Sequence, residues 1–200
     1  MEESEKTIDH QHFALYKPYG YLSQFVNNGQ KQKSKKLLGS LYNFPKNSMA
    51  IGRLDEKSEG LLLITTDGKL SNHINSSGIE KEYYAQLDGA ITDKAIQELC
   101  SGVTIGIEGQ KYRTKPCKVT LLTSTPNLPE RSKKIRDDRH GPTSWISVIL
   151  QEGKFRQVRK MTSAVGFPTL RLVRMRVGKL TLDKMTSGEV RTISADDEVV

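Results

Sequence analysis

The longest buried-looking apolar run in this chain, Leu61-Leu62-Leu63-Ile64, is four residues long. That length fits a strand. It falls far below the roughly 20 residues that a membrane-spanning helix needs. The core must therefore be assembled from many short elements, and the turns between them become informative. Gly60 opens the run as a strand over 61–65, after the polar loop Glu56-Lys57-Ser58-Glu59. Asp67-Gly68 then turns the chain, with Thr66 or Asp67 placed to cap a helix through Asn75.

The same punctuation divides the rest. Phe13–Tyr16 reads as a strand ending in the turn Lys17-Pro18-Tyr19-Gly20. Residues 27–36 have no apolar member and read as a flexible basic loop, and 37–44 as a short helix or irregular segment. Residues 81–88 alternate like a strand. Asp93–Cys100 reads as a helix capped by Thr92, with Gly102 near its end. Strands are predicted over 103–107, 111–113 and 117–123. Residues 124–143 carry Pro126, Pro129, Pro142 and the charged run Arg131–Arg139, so they read as a long exposed loop. Trp145–Gln151 is a strand with Ile146, Val148 and Leu150 on one face. Lys154–Val165 reads as a helix closed by Gly166 and Pro168. A strand over 169–177 and a short one over 180–182 follow. Interleaved helices and strands with short turns predict an α+β fold: a mixed, largely antiparallel sheet with flanking helices. Residues 1–12 are expected to be a flexible tail, 13–193 one domain or two small lobes around a central cleft, and 194–200 an acidic tail.

Net charge is +8, the pI is about 9.4 and the mean hydropathy is −0.53. A basic balance favours a polyanionic partner, chiefly nucleic acid. The N-terminus lacks a basic region followed by an apolar stretch, so no secretory signal is read and the expected location is the cytoplasm. Cys100 and Cys117 fit no metal or redox spacing and are expected to be reduced, partly buried thiols. His10 and His12 lie in the tail without a cysteine or carboxylate frame, so no metal site is expected. His73 and His140 stand alone. Asp137-Asp138 lies inside a basic run and is expected to pair with it.

Two arrangements point to chemistry. In the helix over 154–165, Arg156, Arg159 and Lys160 stand at i, i+3 and i+4 and share one face, opposite Val158, Met161 and Val165. In the following strand, Arg174 and Arg176 share a face with Leu170 and Leu172. Arginines on such a face are costly if buried unpaired. The face is therefore expected to line a cleft that holds carboxylates or phosphates. Asp55, in a glycine-flanked loop between two apolar segments, is the carboxylate candidate.

The stretch Gly52-Arg-Leu-Asp-Glu-Lys-Ser-Glu-Gly-Leu-Leu-Leu-Ile-Thr-Thr-Asp-Gly-Lys-Leu70 resembles the signature of the RsuA/RluB/RluE family of pseudouridine synthases. Further blocks fall in family order: Lys17-Pro-Tyr-Gly20, Lys81-Glu-Tyr83, Glu152–Met161, Leu170–Arg174 and Ser187–Arg191. The resemblance covers residues 13–193 and implies the pseudouridine synthase catalytic fold. Only about a dozen residues precede the first block, too few for the S4 RNA-binding module of many relatives, so the short subtype acting on the large subunit is expected. The resemblance implies isomerisation of a specific uridine in ribosomal RNA, with neither cofactor nor metal, by a monomer. It assigns the catalytic roles to Asp55, Tyr83 and Arg159, and the apolar contact under the base to Leu172. RNA-facing roles fall to Arg53, Lys81, Arg156, Lys160 and Arg174. Without an S4 module, the segments 31–36 and 131–139 are expected to supply RNA affinity, Lys133 and Lys134 among them. Two other classes compete. One is a non-catalytic RNA-binding or ribosome-assembly module on the same fold. The other is a metal-dependent nuclease using Asp55 with Asp67 or Asp88.

Overall fold

A computed structural model of the protein describes residues 9–26, 34–136 and 138–194. Most of the basic loop expected over 27–36, the first eight residues of the tail, Asp137 and residues 195–200 lie outside that range. In chain order the strands are β1 (His12–Lys17), β2 (Tyr21–Leu22), β3 (Lys36–Leu37), β4 (Met49–Ile51), β5 (Glu59–Thr65), β6 (Lys81–Asp88), β7 (Thr104–Ile107), β8 (Gln110–Arg113), β9 (Lys118–Leu121), β10 (Thr143–Leu150), β11 (Thr169–Val177), β12 (Leu180–Thr181) and β13 (Val190–Thr192). The helices are α1 (Gly68–Ser76), α2 (Asp93–Ser101) and α3 (Gln157–Ala164).

One sheet runs in the order β13-β1-β5-β11-β6-β10-β9, with β4 added to β5 and β12 to β11. Its described pairings are antiparallel except β5 with β11, which is parallel. The mixed α+β architecture is the one the sequence predicts. Strand β5 is buried at every position. Leu61 and Leu63 join one cluster with Tyr16, Ile74 and Val173, while Leu62 and Ile64 join another with Phe13, Leu15 and Leu54. Burying each such side chain contributes about 1.5–3 kcal/mol, so the four-residue run anchors the sheet from both faces. A third cluster lies under α2 and α3, where Leu99, Val158 and Met161 meet Ile146, Val148, Leu150 and Leu172.

Caps follow the sequence closely. Asp67, rather than Thr66, caps α1 by accepting from Lys69 N at 2.8 Å. Thr92 caps α2 by accepting from Ala95 N at 3.2 Å. The structure differs from expectation at three places. Helix α3 begins at Gln157, not Lys154, because Arg156 takes a left-handed conformation (φ 54°, ψ 34°) that a helix cannot contain. The segment over 124–143 is tied down. Leu128 packs on the Tyr16 cluster, Pro129 O accepts from Arg171 at 2.7 Å, Arg131 lies 4.5 Å over the Tyr19 ring, and Arg136 pairs with Asp88. Arginine side chains satisfy several of its carbonyls, at Pro129, Gly141 and Pro142. The end of the N-terminal tail is likewise ordered. His12 begins β1 and bonds Thr65 Oγ1 at 2.8 Å, and His10 Nδ1 lies 3.3 Å from Thr66 Oγ1.

The parallel pair needs a glycine. Gly60 has φ +105°, and a Cβ there would stand 2.3 Å from Arg174 O and 2.6 Å from Arg174 N. Gly60→Ala is therefore expected to lower unfolding free energy by about 3 kcal/mol. Gly39→Ala, where a Cβ meets nothing within 4 Å, should change it by less than about 1 kcal/mol. Urea unfolding of both variants checks the contrast.

Candidate active site

The loop before β5 is held from three sides. Ser23 Oγ donates to Leu54 O at 2.9 Å and accepts from Leu54 N at 3.0 Å. Ser58 N donates to Asp55 O at 3.0 Å, closing a turn, and Gly20 N donates to Glu56 O at 2.8 Å. Lys17, fully buried at the end of β1, donates to Ser58 O at 2.7 Å and Pro18 O at 2.9 Å. Asp55 therefore projects from a rigid support, the usual setting of a reactive group.

Two arginines face its carboxylate. Arg156 Nη1 lies 3.0 Å from Asp55 Oδ2, and Arg159 Nε lies 3.8 Å from the same oxygen. Arg159 spends the rest of its guanidinium on the backbone: Nη2 donates to Lys57 O at 2.9 Å and Ser58 Oγ at 3.2 Å, and Nη1 donates to Thr169 O at 3.3 Å. Burial, reinforced by neighbouring Arg156, pulls its pKa below the ordinary guanidinium value, against the pull of Asp55. Arg156 is aimed by the turn that leads into α3. Glu152 accepts from Tyr112 Oη at 2.5 Å, Lys115 N at 3.0 Å and Gln157 Nε2 at 2.6 Å, while Gln157 Oε1 accepts from Lys154 N at 2.9 Å. That network fixes both ends of the left-handed turn.

Asp55 opens into a solvent-facing cleft whose walls include Arg53, Tyr83, Glu152, Arg156 and Leu172. Half-buried Tyr83 comes from β6 and buried Leu172 from β11, on neighbouring strands. The cleft thus brings together Asp55, Tyr83, Leu172, Arg53 and Arg156, with Arg159 behind Asp55. Other candidates stand apart. Lys81 turns back to Ile79 O at 2.9 Å, and burial, together with Arg174, lowers its pKa. Lys160 donates to Gly106 O at 2.7 Å on the far side of Arg156. Lys133 and Lys134 are exposed, and among the described residues neither has an ion-pair partner.

Arg174 does not offer itself to RNA as the sequence suggested. It is 3% exposed, and its Nε donates to Leu61 O at 2.6 Å. The bulge between Arg174 and Arg176 breaks the regular alternation of β11, and Arg176 pairs with Glu80 and Glu82 at the other end of the strand. Sequence reasoning also missed the buried pair of Arg171 with Glu59, at 2.8 and 3.1 Å, and the hub at Glu152. Nothing in local spacing links residues so far apart in the chain. The direct contact of Arg156 with Asp55 had a signal: it stands three residues before Arg159. Asp67 is occupied as a helix cap and Asp88 by Arg136, so neither joins Asp55. Cys100 and Cys117 are free, and burial pushes the Cys117 thiol up to about 11.

Lys17 makes the support of Asp55 pH-dependent. Burial lowers its pKa from 10.5 to about 7, against the pull of Glu59, Asp55 and Glu56. Between those values the unfolded chain binds the extra proton, so this group adds stability as pH rises from 7. The ceiling is about 1.4 kcal/mol per pH unit for one proton. Lys17→Met should flatten the stability curve between pH 7 and 9, measured by urea unfolding. Parallel curves for the variant and wild type would mean that Lys17 keeps its proton when folded.

The sequence model of the RNA pseudouridylate synthase family matches residues 11–164. The ribosomal large subunit pseudouridine synthase E of Xanthomonas campestris pv. campestris is 38% identical over 183 residues, covering 90% of this chain and 94% of that protein. The E enzyme of Vibrio vulnificus is 36% identical over 198 residues, 96% of this chain and 80% of its own. The B enzyme of Bacillus subtilis is 30% identical over 92% of this chain and 68% of its own. A crystal structure of a pseudouridylate synthase superposes with a TM-score of 0.71 at 26% identity, covering 93% of this chain and 71% of that one. No helix among the described residues is long and apolar enough to cross a membrane. The chain belongs to the RNA pseudouridylate synthase family, in its RsuA/RluB/RluE group.

Proposed function

We propose that this protein converts a uridine of large-subunit ribosomal RNA to pseudouridine, with Asp55 as the catalytic carboxylate. The observation that carries the reading is the Asp55 carboxylate at the mouth of a cleft, faced by Arg156 at 3.0 Å and Arg159 at 3.8 Å and flanked by Tyr83 and Leu172. The E and B relatives, which are ribosomal large subunit pseudouridine synthases by name, support ribosomal RNA as the substrate.

The chemistry assigns the roles. The target base must leave its stack before its reacting edge is accessible. Tyr83 and Leu172 hold it on two sides. The ionised Asp55 carboxylate attacks the nucleoside, or acts as base upon it, and the N1–C1′ bond breaks. The uracil turns, C5 joins C1′, the C5 hydrogen leaves as a proton and N1 gains one. The same atoms are reassembled, so the reading includes no redox cofactor and no metal. Arg159 keeps the Asp55 loop in place, and Arg156 and Arg53 border the entrance where the RNA backbone passes. Lys160, Lys133 and Lys134 add positive charge along that path. Residues 13–193 act as one catalytic unit, a monomer working in the cytoplasm.

Asp55→Asn keeps size and polarity but removes the charge that both versions of the mechanism require. Pseudouridine formed on a ribosomal RNA transcript should fall at least roughly 10³-fold. Filter binding of the same transcript should persist, since phosphate contacts supply most of the affinity. Product at near wild-type rate would move the active site elsewhere. A wild-type protein that binds RNA but yields no product would instead be a non-catalytic module. Neutralising Lys133 and Lys134 together should flatten the salt dependence of binding by about 0.7 log unit per lost phosphate contact. An unchanged slope would route the RNA away from this segment.

A further inference from the structure

Phe155 is 66% exposed, although it is a large apolar side chain. It stands in the turn between Glu152 and Gln157, directly before Arg156. A cation lies over its ring, and two more follow and precede it in the chain. Lys160 Nζ lies 4.9 Å from its ring centroid, Lys154 and Arg156 flank it in sequence, and Arg156 reaches on to Asp55. The turn that carries it is built, not loose: Arg156 accepts a left-handed conformation, and the Glu152–Gln157–Lys154 hydrogen bonds lock the approach. Nothing in the core gains from this placement. Leaving a phenylalanine in water forgoes the stabilisation that burial would give. An exposed aromatic ring under a lysine, in the chain between two residues that line the Asp55 cleft, is instead the chemistry that recognises an unpaired nucleobase. The ring stacks on the base face, and the cations meet the flanking phosphates.

We infer that Phe155 is a stacking platform for an RNA base next to the uridine held in the cleft. The inference rests on the functional reading above. When the uridine leaves its stack, one face of its neighbour is exposed to water. Phe155 covers that face, so the base-flipped form of the RNA is held by the same turn that aims Arg156. Its ligand is an unstacked nucleobase of single-stranded or locally opened RNA. Specificity for one base is not built into a ring that carries no donor or acceptor.

Three variants test this: Phe155→Ala, Phe155→Leu and Phe155→Trp. The side chain is exposed, so each should fold, which circular dichroism checks. Affinity for a large-subunit ribosomal RNA transcript should fall roughly 5- to 100-fold for the Ala and Leu variants, following the range for one stacked base, and be kept by Trp. Leu separates ring stacking from plain apolar contact. The natural Trp145 is 8% exposed, so the new indole of Phe155→Trp reports on the rim. Its fluorescence should be quenched by the transcript and not by heparin, a polyanion without bases. Wild-type affinity in Phe155→Ala, or equal quenching by heparin, overturns the inference. Pseudouridine formation by the wild-type protein is scored in parallel. Its absence counts against the functional reading, whereas full affinity of an Ala variant beside an active wild type counts against Phe155 alone.

Discussion

The parallel pairing of β5 with β11 is the constraint on which the rest of the molecule depends. Val173 stands opposite Glu59, and Arg174 opposite Gly60, at a separation that leaves no room for a Cβ. The Asp55 loop leads into β5, and α3 leads into β11. Pairing the two strands in the same direction brings both lead-ins to one end of the sheet. That is why a carboxylate from residue 55 and guanidiniums from residues 156 and 159 can meet. The buried Arg171–Glu59 pair fastens the same junction with two hydrogen bonds. Removing either partner would leave a buried charge without its hydrogen-bonded partner, which costs more than the pair contributes.

A second theme is the use of cations as backbone ligands. Lys17 serves Ser58 and Pro18, Arg159 serves Lys57 and Thr169, Arg171 serves Pro129, and Arg174 serves Leu61. Loops around a sheet end have carbonyls that no ladder satisfies. Side chains with several donors meet that need from the interior. The net charge of +8 is thus divided between structure and surface. Part of it builds the loop that presents Asp55, and only the remainder faces a polyanion.

The sequence made some of this legible and hid the rest for identifiable reasons. The strand run at Leu61–Ile64, both side-chain caps and the alternation of Ile146, Val148 and Leu150 follow from local periodicity and turn chemistry, which act over a few residues. The residues from Gly52 to Leu70 led to the family and hence to Asp55. The cleft walls at Tyr83 and Leu172 followed from the family's order of blocks. What stayed hidden was non-local or sub-turn in scale. Periodicity placed Arg156 inside a helix, whereas one left-handed residue put it in the preceding turn. Strand alternation placed Arg174 in a cleft, whereas its guanidinium is buried on the Leu61 carbonyl. The segment over 124–143 read as free because its anchors, Tyr19, Asp88 and Arg171, lie elsewhere in the chain.

The junction between β5 and β11 also sets an order of events during synthesis. Its ion-paired residues are 112 positions apart. As the chain emerges, β1 can cover one edge of β5 early and β4 can cover the far end of the other, opposite Leu63, Ile64 and Thr65, because both lie close to it in sequence. The near end of that second edge, at Glu59 and Gly60, waits for the last quarter of the polypeptide. Until then the start of the strand presents unpaired amides and carbonyls on that edge, the condition in which nascent chains associate with one another. Closing so long a loop is slow relative to local hairpins. The protein therefore has no assembled Asp55–arginine centre at any intermediate length, and its C-terminal strands are at once the final step of folding and the switch that makes it competent.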